Sequence, residues 1–205
     1  MSNKYYHFIN NDKKLGYGDG RCVQIGKWYR VKGPVELCKF GMHASKKILD
    51  ALSYSNSHTL CLVELTDDVI HDGDKSVASG RKIIWMLDVE MILHEFACKC
   101  AERALKLANV TDGRCWEAIK VKRKWLKDLA TDAELNAARV ASYTAISAAI
   151  YTARDAAIYA AIYAARYAAR DAARDAAGYA RYAASSGEKK WQEKTLLRMI
   201  KKARS

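Results

Sequence analysis

Four arginines, Arg166, Arg170, Arg174 and Arg181, and two tyrosines, Tyr163 and Tyr167, are the side chains of this 205-residue chain whose types and spacing best suit chemistry. Guanidinium forks grip phosphate oxygens in pairs, and tyrosine rings stack on bases. Their spacing decides whether they act together. At 100° per residue, with Ile146 set at 0°, Arg166, Arg170 and Arg174 fall at about 200° to 280°, and Tyr159, Tyr163 and Tyr167 at about 220° to 300°. Arg181 lands in the same arc. The pattern predicts one helix face striped with Arg and Tyr, a surface for phosphate or nucleic acid. Asp171 and Asp175 partly neutralise it, and the competing reading is a solvated face with no ligand.

Two further stretches carry the same charge. In IKVKRKWLK, residues 119–127, Lys120, Arg123, Lys124 and Lys127 share one helical arc, with Val121, Trp125 and Leu129 opposite. In the tail, residues 188–205, Lys190, Lys194, Arg198, Lys201 and Lys202 oppose Leu196, Leu197, Met199 and Ile200. Both predict amphipathic basic helices able to dock phosphates. Catalytic constellations are not legible. GYGDG at 16–20 lacks the GK[ST] ending of a phosphate loop and reads as a hairpin turn. His7, His43, His58, His71 and His94 fall on different predicted elements. Six cysteines (22, 38, 61, 98, 100, 115) follow no secretory leader, which predicts reduced thiols in a cytosolic protein. Cys38 and His43 could reach one metal, but no second pair follows, so neither metal nor cofactor is expected.

The stripe needs a helix to carry it. Residues 144–179 are nine consecutive four-residue units, nearly all opening with Ala or Thr followed by Ala, with no proline and a single glycine, Gly178. Alanine is the best helix former. Each column of a four-residue repeat drifts about 40° per unit, and the identities compensate: isoleucine in the early units gives way to arginine where the column has rotated away. Thr131 with Glu134 is a capping box opening this helix. Unbroken from 132 to 184 it would span roughly 80 Å, against a radius of gyration of about 17 Å for a compact chain of this length. We expect a break, with homodimerisation as the alternative.

Upstream the grammar differs. Tyr5 to Ile9, Arg21 to Ile25, Lys27 to Lys32, His58 to Leu65 and Lys82 to Met86 read as strands between glycine-marked turns. Ser45 reads as the N-cap of a helix from Lys46 to Tyr54. From Asp88 the period becomes 3.6: Asp88 should cap a helix to Ala108, with Leu93, Phe96, Ala97, Cys100, Ala104 and Leu107 on one face, and Thr111 a second to Ala130. The expected fold class is α+β, a small β-rich domain over 1–88 followed by an Ala-rich helical domain over 89–205. A formal charge of +12 points to an acidic partner, and no run approaches the ~20 apolar residues of a membrane span.

The stretches LCKFGMHAS (37–45), DALSY (50–54), LCLVEL (60–65) and GDKSVASGRKI (73–83) resemble a small domain of unknown function that recurs in phage-encoded proteins. FACKCAERALKL (96–107), the Ala-rich repeat and WQEKTLLRMI (191–200) look like the helical half of those proteins. They are also similar to Ala-rich helical immunity proteins of bacterial toxin systems. A second resemblance joins GMHASKKILDALSY and LCLVEL to the signature of ADP-ribosyltransferases. It implies NAD held by His7, Gly41, Ser45 and Tyr54, with Glu64 as the acid. The sequence departs from it where Phe8 follows His7 and where His43 replaces an aromatic residue.

Three functions are therefore carried forward. The leading one is a phage accessory protein, anti-CRISPR-like, acting in the host cytoplasm. It would block a host defence protein or nucleoprotein complex through the basic face, with nucleic acid or a nucleotide as target. The others are an NAD-using transferase and an immunity-like protein that binds a toxin.

Overall fold

A computed structural model describes residues 4–16, 19–55, 57–107, 109–150 and 186–205. The class is α+β, strands first and helices after. The chain divides into two compact units, Met1–Glu90 and Met91–Ser205.

The first unit contains β1 (Lys4–Ile9), β2 (Trp28–Arg30), β3 (Met42–Ala44), α1 (Ile48–Ser53), β4 (Thr59–Leu65), β5 (Ile70–Asp72), β6 (Lys75–Ala78) and β7 (Gly80–Asp88). One antiparallel sheet runs β1-β4-β7-β2 and another β3-β6-β5. Alternation along β4 turns Cys61, Val63 and Leu65 into a core shared with Tyr5, Tyr29 and Ile83. Leu60 points the opposite way and is equally enclosed, so β4 is buried on both faces, as its near-continuous apolar run requires. A register shift between Leu62 and Val63 leaves Ile84 unpaired in β7.

Two sequence expectations change here. Residues 21–25 are not a strand of either sheet. Leu15 N donates to Arg21 O at 2.9 Å and Val23 N to Lys13 O at 2.7 Å, tying residues 21–23 back to 13–15, and β2 pairs with β7 instead. Ser45 does not cap α1. It exchanges two backbone hydrogen bonds with Tyr6, at 2.8 and 2.9 Å, which keeps the chain extended past it; α1 starts only at Ile48, behind Lys47, with no side-chain cap.

Gly41 shows how tightly β3 is seated. Its φ is +133°, and a Cβ there would collide with Val77 Cγ2 and stand 3.2 Å from Ala78 O. Gly41→Ala should lower stability by about 2 kcal/mol or more, through overpacking and a conformation that L side chains resist; urea unfolding followed by circular dichroism measures it.

The second unit contains α2 (Glu90–Leu107, its first residue belonging to the first unit), α3 (Gly113–Trp125), α4 (Asp132–Ile150) and α5 (Ser186–Arg204). Asp88 caps α2, its Oδ1 accepting from Glu90 N at 2.9 Å. The cap of α3 is Asp112 rather than Thr111, accepting from Arg114 N, and the helix stops five residues short of Ala130. The capping box of α4 forms: Glu134 Oε2 accepts from Thr131 N at 2.7 Å, and Thr131 Oγ1 accepts from Glu134 N at 3.2 Å. α2 is enclosed on most sides, with Leu93, His94, Phe96, Ala97, Cys98, Cys100, Ala101, Ala104 and Leu105 buried; Leu107, expected on its apolar face, is exposed. No helix among the described residues is long and apolar enough to cross a membrane.

Candidate polyanion-binding face

The helix α5 sorts its side chains cleanly. Gln192, Thr195, Leu196 and Ile200 recur at intervals of three and four and are buried. Glu188 in its first turn accepts from Arg103 Nε of α2 at 2.7 Å, and the Arg103 guanidinium lies 4.5 Å from the Trp191 ring centroid. These contacts fix the rotation of α5. The opposite side then presents Lys190, Lys194, Arg198, Lys201 and Lys202, all exposed and, among the described residues, without an ion pair or side-chain hydrogen bond. Lys190, Lys194, Arg198 and Lys201 fall within about 80° of arc and roughly 16 Å of axis, close to one cation per turn.

Helix stability accounts for part of this charge only. Lys201, Lys202 and Arg204 sit in the last turn, where cations favourably meet the helix dipole. Lys189 and Lys190 sit near the first turn, where the dipole opposes them. Their charge therefore costs helix stability, which a polyanion would offset.

The cations expected on α3 separate into two groups. Lys120, Lys124 and Lys127 are exposed, Lys120 beside Glu117 at 3.5 Å and Lys127 beyond the helix end. Arg123 turns inward and clamps α3 to α2. Its Nε and Nη2 each donate to Glu95 at 3.2 Å, while Nη1 and Nη2 donate to Glu102. Glu95 and Glu102 lie seven residues apart on one face of α2, so both carboxylates can meet the one guanidinium. Lys122, between these cations in sequence, is 1% exposed with its ammonium 3.8 Å from the Trp125 ring centroid, whereas Leu129, expected on the apolar arc, is 70% exposed. Arg166, Arg170, Arg174, Arg181, Tyr163 and Tyr167 lie outside the described residues, as do the expected helix break and residues 151–184 of the long helix.

The clamp has an acid signature. Arg123 holds the Glu102 carboxyl below its ordinary range, so its contribution is complete above the unfolded value of about 4.3 and is lost as pH falls through the lower folded value. Arg123→Gln should flatten this part of the acid limb in a plot of urea midpoint against pH, leaving a smaller drop below about pH 4.3 than in the parent.

In the first unit Glu64, the acid of the NAD-site resemblance, stands on the opposite face from His7. Register pairs His7 with Cys61 and Lys4 with Glu64. Three residues apart on one strand, His7 and Lys4 project to opposite faces, and Glu64 follows Lys4 away from His7. Tyr54 is exposed and donates to Asp74 Oδ2 at 2.6 Å. His43 does not share a metal with Cys38: its Nε2 accepts from Cys38 N at 3.0 Å, so Nδ1, 3.1 Å from Gly41 O, must carry the proton. His58, Asp88 and Glu90 gather within 4.8 Å. The two carboxylates, however, face different ring nitrogens, at 2.9 and 3.8 Å, and Asp88 is committed to capping α2, so the trio braces a helix start.

Residues 3–95 match the family model described as Domain of unknown function (DUF7666). No curated protein and no solved structure matches the chain. The family match spans the strands and the first residues of α2, and leaves α3, α4 and α5 outside it.

Proposed function

We propose that the chain is a binding protein whose helical unit recognises a polyanion, nucleic acid or nucleoprotein, through the basic face of α5. The carrying observation is the row of Lys190, Lys194, Arg198 and Lys201, exposed on one face with no ion pair among the described residues. Like-charged side chains one turn apart repel one another, and phosphates spaced along a backbone relieve that repulsion while releasing counterions. Lys120, Lys124 and Lys127 would add sequence-independent contacts. The Arg166, Arg170 and Arg174 stripe with Tyr163 and Tyr167 would add stacking.

The resemblance of the first unit's motifs to phage-encoded proteins supports a counter-defence setting, in which occupying nucleic acid or a nucleoprotein complex blocks a host factor. The test is fluorescence anisotropy of labelled single-stranded RNA, single-stranded DNA and duplex DNA at two salt concentrations. Salt-sensitive binding supports the reading, and no binding to any of the three overturns it.

A further inference from the structure

A second positive charge is placed where no surface role explains it. Arg81, on β7, is 4% exposed, and among the described residues no carboxylate pairs with it. Its register partners Leu65 and Tyr29 belong to the core, so its side chain runs into the space between the sheets. There Nη1 donates to His43 O at 2.6 Å, tying β3 to the larger sheet. Nε is buried with no partner, and the side chain forms no other hydrogen bond among the described residues.

The unused edge is therefore Nε with Nη2. That is the edge with which a guanidinium grips two oxygens of a carboxylate or phosphate side by side. A buried cation lacking a counter-charge is unfavourable, and a buried N–H without an acceptor adds to the cost. Both are relieved by the same object, an oxyanion.

The neighbours suit this. His43 gives Arg81 its backbone carbonyl, and His7, paired with the core-facing Cys61, points into the same interior; both imidazoles are held below their ordinary pKa, by burial first and then by the Arg81 charge among others. His43 is fully committed, with one ring nitrogen accepting from Cys38 and the other donating to Gly41. His7 stands on β1, the edge strand of its sheet, and among the described residues its imidazole makes no hydrogen bond, which leaves it available to an anion. Cys61, opposite His7, does not supply the missing charge: burial pushes its thiol up to about 12, keeping it neutral.

The geometry points to Arg81 and His7 as a binding site for a small oxyanion, the carboxylate or phosphate group of a ligand, gripped by the Nε/Nη2 edge and approached by the His7 imidazole. This site is independent of the α5 face and belongs to the unit that the family match covers.

The test follows the arginine Nε–H resonances of the full-length, 15N-arginine-labelled protein. It is titrated with sodium phosphate or sodium acetate against sodium chloride at constant ionic strength. The Arg81 signal, identified by its loss in Arg81→Lys, should shift saturably with phosphate, acetate or both. A response to phosphate alone selects a tetrahedral group, and a response to acetate alone a planar one. His7→Gln should weaken saturation about tenfold or more. If Arg81→Lys does not fold, backbone-to-side-chain connectivity assigns the resonance and His7→Gln carries the comparison. An Arg81 signal that ignores both anions, or follows chloride equally, overturns the site. So does a response confined to Arg198, which would report only the α5 face.

Discussion

Replacing Lys190, Lys194, Arg198 and Lys201 together with glutamine should remove most of the chain's affinity for nucleic acid and flatten its dependence on salt. The four cations stand on the exposed side of α5, away from Gln192, Thr195, Leu196 and Ile200, so glutamine leaves the packed face untouched. It also keeps helix propensity near that of lysine, and circular dichroism should be unchanged. Each lost phosphate contact removes about 0.9 from the slope of log K against log salt on duplex DNA, so four contacts remove roughly 3.6. Uniform weakening across sequences is the expected signature of backbone contacts. Anisotropy titrations at several salt concentrations measure it, and an unchanged slope would assign the cations to solvent.

Phe96→Ala should cost about 3 to 5 kcal/mol and threaten the helical unit outright. Phe96 is 0% exposed on α2, the helix that Arg123 clamps to α3 and that Arg103 ties to α5. Removing the ring opens a cavity that these neighbours can only partly close, and the better helix propensity of alanine returns only a few tenths of a kcal/mol. A chain with ordinary stability of about 5 to 15 kcal/mol loses a large share of it. The control is Met91→Ala on the same helix, where Met91 is 54% exposed and the change should stay within about 0.5 kcal/mol. Urea midpoints for the two variants separate burial from helix propensity.

Much of the scaffold was legible because the signals are local. Thr131 and Glu134 form the capping box because their spacing matches one helical turn, and Asp88 caps α2 because a short acid precedes a 3.6-residue apolar period. The α5 face was legible in the same way, since rotation about a single helix follows from arithmetic once Leu196 and Ile200 are assigned to the core. The errors share a cause as well. Arg21 to Ile25 alternates like a strand, but Leu15 and Lys13 compete successfully for its backbone. Ser45 has the chemistry of a cap, yet Tyr6, thirty-nine positions away, takes its backbone into a strand pair.

By itself, then, the sequence determined the class, the starts of α2 and α4, the two basic stretches and most of the buried face of α2, because each depends on residues within a turn or two of one another. Tertiary structure decided which charges remain available. Arg123 looked like one more cation of a basic arc until Glu95 and Glu102 were brought against it, and Arg81, one residue outside the strand expected from Lys82, carried no signal until packing enclosed it without a carboxylate among the described residues. Electrostatic partnership is a property of distances in space, and neither the spacing nor the identity of residues along the chain carries it.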